Sequence, residues 1–131
     1  MNHRGRILVV DDEPNARTAL AELLREEGYD VETAADGLMA LPKLDKFEPD
    51  LVLTDLEMPG LDGLGLIRKV HERAPGRAIV VMSALPARDI TDAVIRIATA
   101  GYVLKPINLP TLFHTIERAI ARPELLGPAA Q

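Results

Sequence analysis

The segment Asp50-Leu51-Val52-Leu53-Thr54-Asp55-Leu56-Glu57-Met58-Pro59-Gly60 decides the architecture of this chain. Its apolar run, Leu51 to Leu53, sits between Pro49 and the Pro59-Gly60 pair and shows no polar alternation. A parallel strand covered on both faces reads this way, because neither side meets water. The run delivers one carboxylate, Asp55, to the strand's C-terminal edge. Open α/β sheets hold their ligands at that edge, where the strand order reverses. Taken alone, an aspartate at a strand end more often ties down a turn.

Three other apolar runs end in the same manner. Ile7-Leu8-Val9-Val10 leads into Asp11-Asp12, Ala78-Ile79-Val80-Val81-Met82 into Ser83, and Tyr102-Val103-Leu104 into Lys105-Pro106. Read as buried strands, all four place a polar or charged group on one sheet edge. Strand-like runs begin near residues 7, 31, 51, 79 and 102, with helical patterns between them. This spacing predicts βα units in a parallel sheet flanked by helices on both faces.

A first helix is expected from Pro14, a residue suited to the first turn, to a stop at Gly28. Asp30-Val31-Glu32-Thr33-Ala34 alternates as a half-exposed edge strand does. A second helix opens at Asp36-Gly37, and Pro42 in its interior is expected to kink or delay it. A third runs from Gly63 to about Arg73 with Asp62 as its N-cap, a fourth from about Arg88 to Ala98, and a fifth from Leu109-Pro110 through Ile120. Residues 1–121 thus read as one domain, and the proline-containing stretch 122–131 as a tail or the start of a linker.

The 131 residues suffice for a full core, and a net charge of −5 without a basic cluster argues against nucleic acid as a direct partner. There is no cysteine, hence no disulfide frame or thiolate metal site. No apolar stretch approaches the roughly 20 residues that span a bilayer. The chain reads as soluble and cytoplasmic, with no membrane partner.

If Asp11, Asp12 and Asp55 share a pocket, two carboxylates about 4 Å apart repel by about 4 kcal/mol at an effective dielectric of 20. Three need a cation. Mg²⁺ suits them, being held by one or two carboxylates together with waters and substrate phosphate. Lys105 adds a point charge for a phosphate oxygen and Ser83 a hydroxyl donor, so the set reads as a phosphoryl-handling site. The nucleophile is then a carboxylate, ionised at neutral pH since aspartate ordinarily titrates at about 3.9, and the product an aspartyl phosphate. Singly, each residue has a plainer role: Asp12 starts a helix, Ser83 caps a turn, Lys105 is exposed, Tyr102 packs.

From about Arg6 to Ala121 the chain resembles the receiver domain of bacterial two-component response regulators. The residues that carry the resemblance are Asp11-Asp12, Asp55 to Gly63 with Met58-Pro59-Gly60 and Asp62-Gly63, Ser83-Ala84, and Lys105-Pro106. It implies a doubly wound, flavodoxin-like sheet of five parallel strands in the order 2-1-3-4-5 with five helices. It also implies a phosphoacceptor signalling domain, not an enzyme, in which Asp55 takes a phosphoryl group from a phosphohistidine of a sensor histidine kinase or phosphotransfer protein. Asp12, Asp55 and the Glu57 backbone carbonyl then hold Mg²⁺ directly, with Asp11 acting largely through water. Lys105 and Ser83 contact the phosphoryl oxygens, and Ser83 and Tyr102 form the switch. The resemblance further implies a cis Lys105-Pro106 bond and an output face of fourth helix, fifth strand and fifth helix that docks a partner or forms a homodimer. Two departures from the family stand out, Ala98 where a glycine is usual and Pro42 inside the second helix.

Two competing readings use similar parts. A phosphohydrolase of the haloacid dehalogenase type also combines an aspartate nucleophile with Mg²⁺, hydroxyl and lysine. It carries that nucleophile on its first strand, with a second aspartate two residues on, where this chain has Glu57. A flavodoxin-like flavin carrier would place its phosphate loop at Asp11-Asp12-Glu13, which would repel phosphate.

Overall fold

The structure, a computed structural model, describes residues 4–57, 63–86 and 99–121. Five parallel strands, β1 (Arg6–Val10), β2 (Asp30–Ala34), β3 (Leu51–Asp55), β4 (Ala78–Ser83) and β5 (Gly101–Leu104), form one sheet in the order β2-β1-β3-β4-β5. Four helices are described: α1 (Pro14–Glu26), α2 (Gly37–Phe47), α3 (Gly63–Arg73) and α4 (Leu109–Ala121). The helix expected over 88–98 and the tail 122–131 lie outside the described residues.

Side chains that alternate along the strands sort into two cores. Ile7, Val9, Leu51, Leu53, Val80 and Met82 meet Leu20 and Leu24 of α1 and Leu112 and Ile116 of α4. Leu8, Val10, Val52, Ile79 and Val81 meet Ala40 and Leu44 of α2 and Leu66, Ile67 and Val70 of α3. Both faces of the central strands are therefore dry, which is why their sequences lack polar alternation. β2 is the half-exposed edge strand that its alternation predicts.

Two expectations need correction. Tyr102-Val103-Leu104 reads as a buried run, yet in β5 only Val103 is buried and Leu104 is 49% exposed, because β5 is the other edge of the sheet. α2 is not delayed by Pro42: it starts at Gly37 and runs unbroken to Phe47. Its start is well capped, with Asp36 Oδ1 accepting from the Met39 amide at 2.8 Å. Leu38, whose carbonyl Pro42 cannot satisfy, is 64% exposed.

α1 begins at Pro14 as expected, with Glu13 rather than Asp12 accepting from the Ala16 amide at 2.7 Å. Gly28, at φ +99, occupies the left-handed conformation that ends the helix. Gly63 has a stricter reason. A Cβ there would lie 2.4 Å from the Asp55 carbonyl oxygen and 2.5 Å from Leu56 Cα, so only glycine lets α3 start this close to the end of β3.

Candidate functional site

Because all strands are parallel, every C-terminus reaches the same edge. The register pairs Val10 with Thr54, and one further step sets Asp11 level with Asp55. On the other side Asp55 pairs with Met82, and Ser83 with Leu104 just before Lys105. Carboxylate oxygens of Asp11, Asp12 and Asp55 all lie within 4.8 Å of one another. Asp11 and Asp55 are each only 3% exposed, and Asp12 is open to solvent.

Lys105 Nζ donates to Asp55 Oδ2 at 2.7 Å, and the Glu57 amide donates to Oδ1 at 3.2 Å. Asp11 Oδ1 accepts from the Glu13 amide at 3.0 Å, and Arg17 Nη1 donates to the Asp11 carbonyl at 2.9 Å. Burial pushes the Asp11 carboxyl above the ordinary aspartate value of 3.8; the Glu13 amide pulls against this and the charge on Asp55 adds to it. Burial opposes the Lys105 charge, but the hydrogen bond and charge of Asp55, with Asp11 and Glu57 beyond, hold its pKa above the ordinary 10.5. One ammonium thus faces three carboxylates. That imbalance, with one acid accessible and two buried, fits a hard divalent cation seated among oxygen ligands.

The Lys105-Pro106 peptide bond is cis, as the resemblance implies. Ser83 is fully buried at the end of β4. Tyr102 is half-buried, packs against the α2–α3 core and donates its hydroxyl to the Leu85 carbonyl. Asp11, Asp12, Asp55, Ser83 and Lys105 are thereby gathered at one edge, while Tyr102 lies within β5 and reaches the segment after β4 only through its hydroxyl. Sequence reasoning did not find the partners of the Glu57 side chain: Oε2 accepts from Ser83 Oγ at 2.9 Å and Oε1 from the Ala84 amide at 3.3 Å. An acid two residues beyond a strand-end nucleophile was the available signal. It also missed a groove of about 470 Å³ that opens beside Asp55 along α1, walled by Leu20, Leu23, Pro106 and Ile107.

An acidic triad, a paired lysine and a buried hydroxyl at the switch point of a 2-1-3-4-5 sheet are the parts that a carboxylate-centred phosphoryl site requires. The family described as "Response regulator receiver domain" matches residues 7–117. The chain is 37% identical over 120 residues to the transcriptional regulatory protein PdtaR of Mycobacterium tuberculosis, covering 89% of this chain and 57% of that one. It is 36% identical over 123 residues to the DNA-binding response regulator MtrA of Mycolicibacterium smegmatis, covering 92% and 53%. Among solved structures, the response regulator TrrA of Thermotoga maritima in complex with Mg²⁺-BeF matches at TM-score 0.78 and 38% identity over 86% of this chain and 96% of that one. A receiver domain from Clostridium thermocellum matches at TM-score 0.83 and 28% identity, over 92% and 98%.

The chain belongs to the response regulator receiver domain family of two-component signalling. It spans about half the length of the curated relatives it matches. The phosphohydrolase alternative finds no support: the candidate nucleophile ends the third strand, and Glu57 is engaged with Ser83 and Ala84. Among the described residues no helix is long and apolar enough to cross a membrane.

Proposed function

We propose that Asp55 accepts a phosphoryl group from the phosphohistidine of a sensor kinase or phosphotransfer protein, and that the chain is a regulator rather than an enzyme. The observation that carries this reading is the pairing of a 3%-exposed Asp55 with Lys105 inside an acidic triad at the sheet edge. Asp12, Asp55 and the Glu57 carbonyl would hold Mg²⁺, with Asp11 acting through water. When bound, that ion neutralises the acids and draws charge from phosphoryl oxygens.

Asp55 supplies an oxygen to phosphorus as the phosphorus–nitrogen bond of the donor breaks, and the freed imidazole takes its proton from solvent. Lys105 is already in place at 2.7 Å to follow the charge that passes from the donor to the new acyl phosphate. The groove along α1 gives a donor side chain a route to Asp55. Phosphoramidate with Mg²⁺ should add one phosphoryl group to the parent and none to Asp55→Asn. Undiminished labelling of Asp55→Asn would remove the assignment.

Phosphorylation adds roughly −1.5 to −2 charges, which act at a distance only by favouring one of two existing packings. We place the output on residues 88–98, β5 and α4, since Ser83 leads toward that face and Tyr102 lies in it. A partner domain, a separate partner or a second copy of the chain would dock there. Amide exchange with and without phosphorylation tests this, and a response confined to α1 and α2 would move the switch elsewhere. Residues 1–121 then form the receiver, and 122–131 a tail or linker.

A further inference from the structure

We propose that the Glu57 carboxylate is an internal stand-in for the phosphoryl group: it occupies the Ser83 hydroxyl and the Ala84 amide and must leave before an anion on Asp55 can use them. The inference rests on the phosphoacceptor reading of Asp55. It follows from counting donors. A serine hydroxyl has one proton and a backbone amide one. Ser83 Oγ gives its proton to Glu57 Oε2 at 2.9 Å, and the Ala84 amide gives its own to Oε1 at 3.3 Å. Ser83 Oγ also accepts from the Leu85 amide at 3.0 Å, which takes a lone pair and leaves the proton aimed at Glu57.

The two oxygens of one carboxylate therefore fill two anion-binding donors at the end of β4, next to Met82, the register partner of Asp55. Both hydrogen bonds are to a charged acceptor and so stronger than neutral ones. A phosphoryl group on Asp55 carries acceptor oxygens of its own and competes for the same protons. Either Glu57 or the phosphoryl group can hold Ser83, not both.

The exchange also explains how the site reaches its surroundings. The segment that Glu57 holds, Ser83 to Leu85, is the one whose Leu85 carbonyl accepts the Tyr102 hydroxyl. With Glu57 seated, Ser83, Ala84 and Tyr102 are fixed together. With Glu57 displaced, Ser83 and Ala84 turn to the phosphoryl group and the hold on Leu85 changes. Glu57 is thus a positioning residue that biases the free domain toward its resting packing. As an exposed residue it can swing into solvent without breaking the core.

The test compares the parent, Glu57→Ala and Glu57→Asp, titrated with beryllium fluoride at saturating Mg²⁺ and followed by NMR. Glu57→Asp keeps the charge but is one methylene too short to bridge both donors. Both variants should bind fluoroberyllate about tenfold more tightly than the parent. Tightening in Glu57→Ala alone would reduce the effect to loss of charge and overturn the proposal, as would no tightening in either. Exchange of the Ala84 amide in the metal-free, anion-free protein is the second readout. It should accelerate severalfold in both variants, and unchanged exchange would also overturn the proposal. If no form, the parent included, binds fluoroberyllate, the phosphoacceptor reading fails, while Ala84 exchange still decides whether Glu57 holds that donor.

Discussion

Lys105→Met and Asp55→Asn remove opposite ends of one ion pair, yet their effects on stability should differ. At 2.7 Å and an effective dielectric of about 20, Lys105 attracts Asp55 by about 6 kcal/mol. Asp11 and Asp12 offer oxygens within 4.8 Å, so each repels Asp55 by about 3.5 kcal/mol or more on the same scale, with the share of exposed Asp12 cut by water. Lys105→Met leaves a carboxylate that is 5% exposed facing two others without its cation. Breaking a fully buried pair in this way costs about 3–5 kcal/mol. Lys105 keeps 34% of its side chain exposed, so about 2–3 kcal/mol is expected here. Asp55→Asn removes repulsion along with attraction and keeps a carbonyl for Lys105 to donate to. Its effect should stay within about 1 kcal/mol of zero. Urea unfolding at pH 7 with a chelator present, followed by circular dichroism, measures both. Mg²⁺ should then narrow the deficit of Lys105→Met. Unfolding of Lys105→Met within about 0.5 kcal/mol of the parent, the range of ordinary surface changes, would refute a stabilising role for the pair. Greater damage from Asp55→Asn than from Lys105→Met would refute it equally.

Three further outcomes follow from particular residues. Asp12→Ala should weaken Mg²⁺ binding more than Asp11→Ala, whose loss as a water-mediated partner is worth about 10–100-fold by calorimetry; the reverse order would exchange their roles. Gly63→Ala should destabilise the domain by about 1–3 kcal/mol, because its Cβ meets backbone that cannot rotate away; parent-like stability would mean that α3 can draw back from β3. Burial raises the Tyr29 pKa above the ordinary 10.0, with Arg4 acting against it and Glu117 and Glu27 in support. The folded state therefore keeps a proton that the unfolded state releases, and stability should fall as pH climbs from 10.0 through the raised folded value. Tyr29→Phe should flatten that alkaline decline, and an identical pH profile for the variant would count against the shift.

The central part of the fold was legible because burial leaves a direct mark on sequence. Leu51 to Leu53 and Ile79 to Val81 are apolar without alternation since helices cover both sides of β3 and β4. The 2-1-3-4-5 order was not in that pattern; it came from the resemblance and from residues that converge only in that order. Short apolar runs do not reveal which strand lies at an edge, so β5 looked as buried as β4. Pro42 was overread as a delay: capped by Asp36, α2 starts at Gly37 and continues past the proline to Phe47. At the site, Asp11, Asp12, Asp55, Ser83 and Lys105 were legible because each ends a strand or lies within two residues of its end. The contacts of the Glu57 side chain were not, since its partners Ser83 and Ala84 are distant in sequence and meet it only through β3–β4 pairing.

The most direct test of the central claim is the location of the phosphoryl group itself. Protein treated with phosphoramidate and Mg²⁺, then reduced with borohydride, converts an acyl phosphate to an alcohol that peptide mass spectrometry can place. Conversion at position 55 alone is the expected result. Conversion at Asp11, Asp12 or Glu57 with Asp55 untouched, or phosphate on a histidine in its place, would contradict the account.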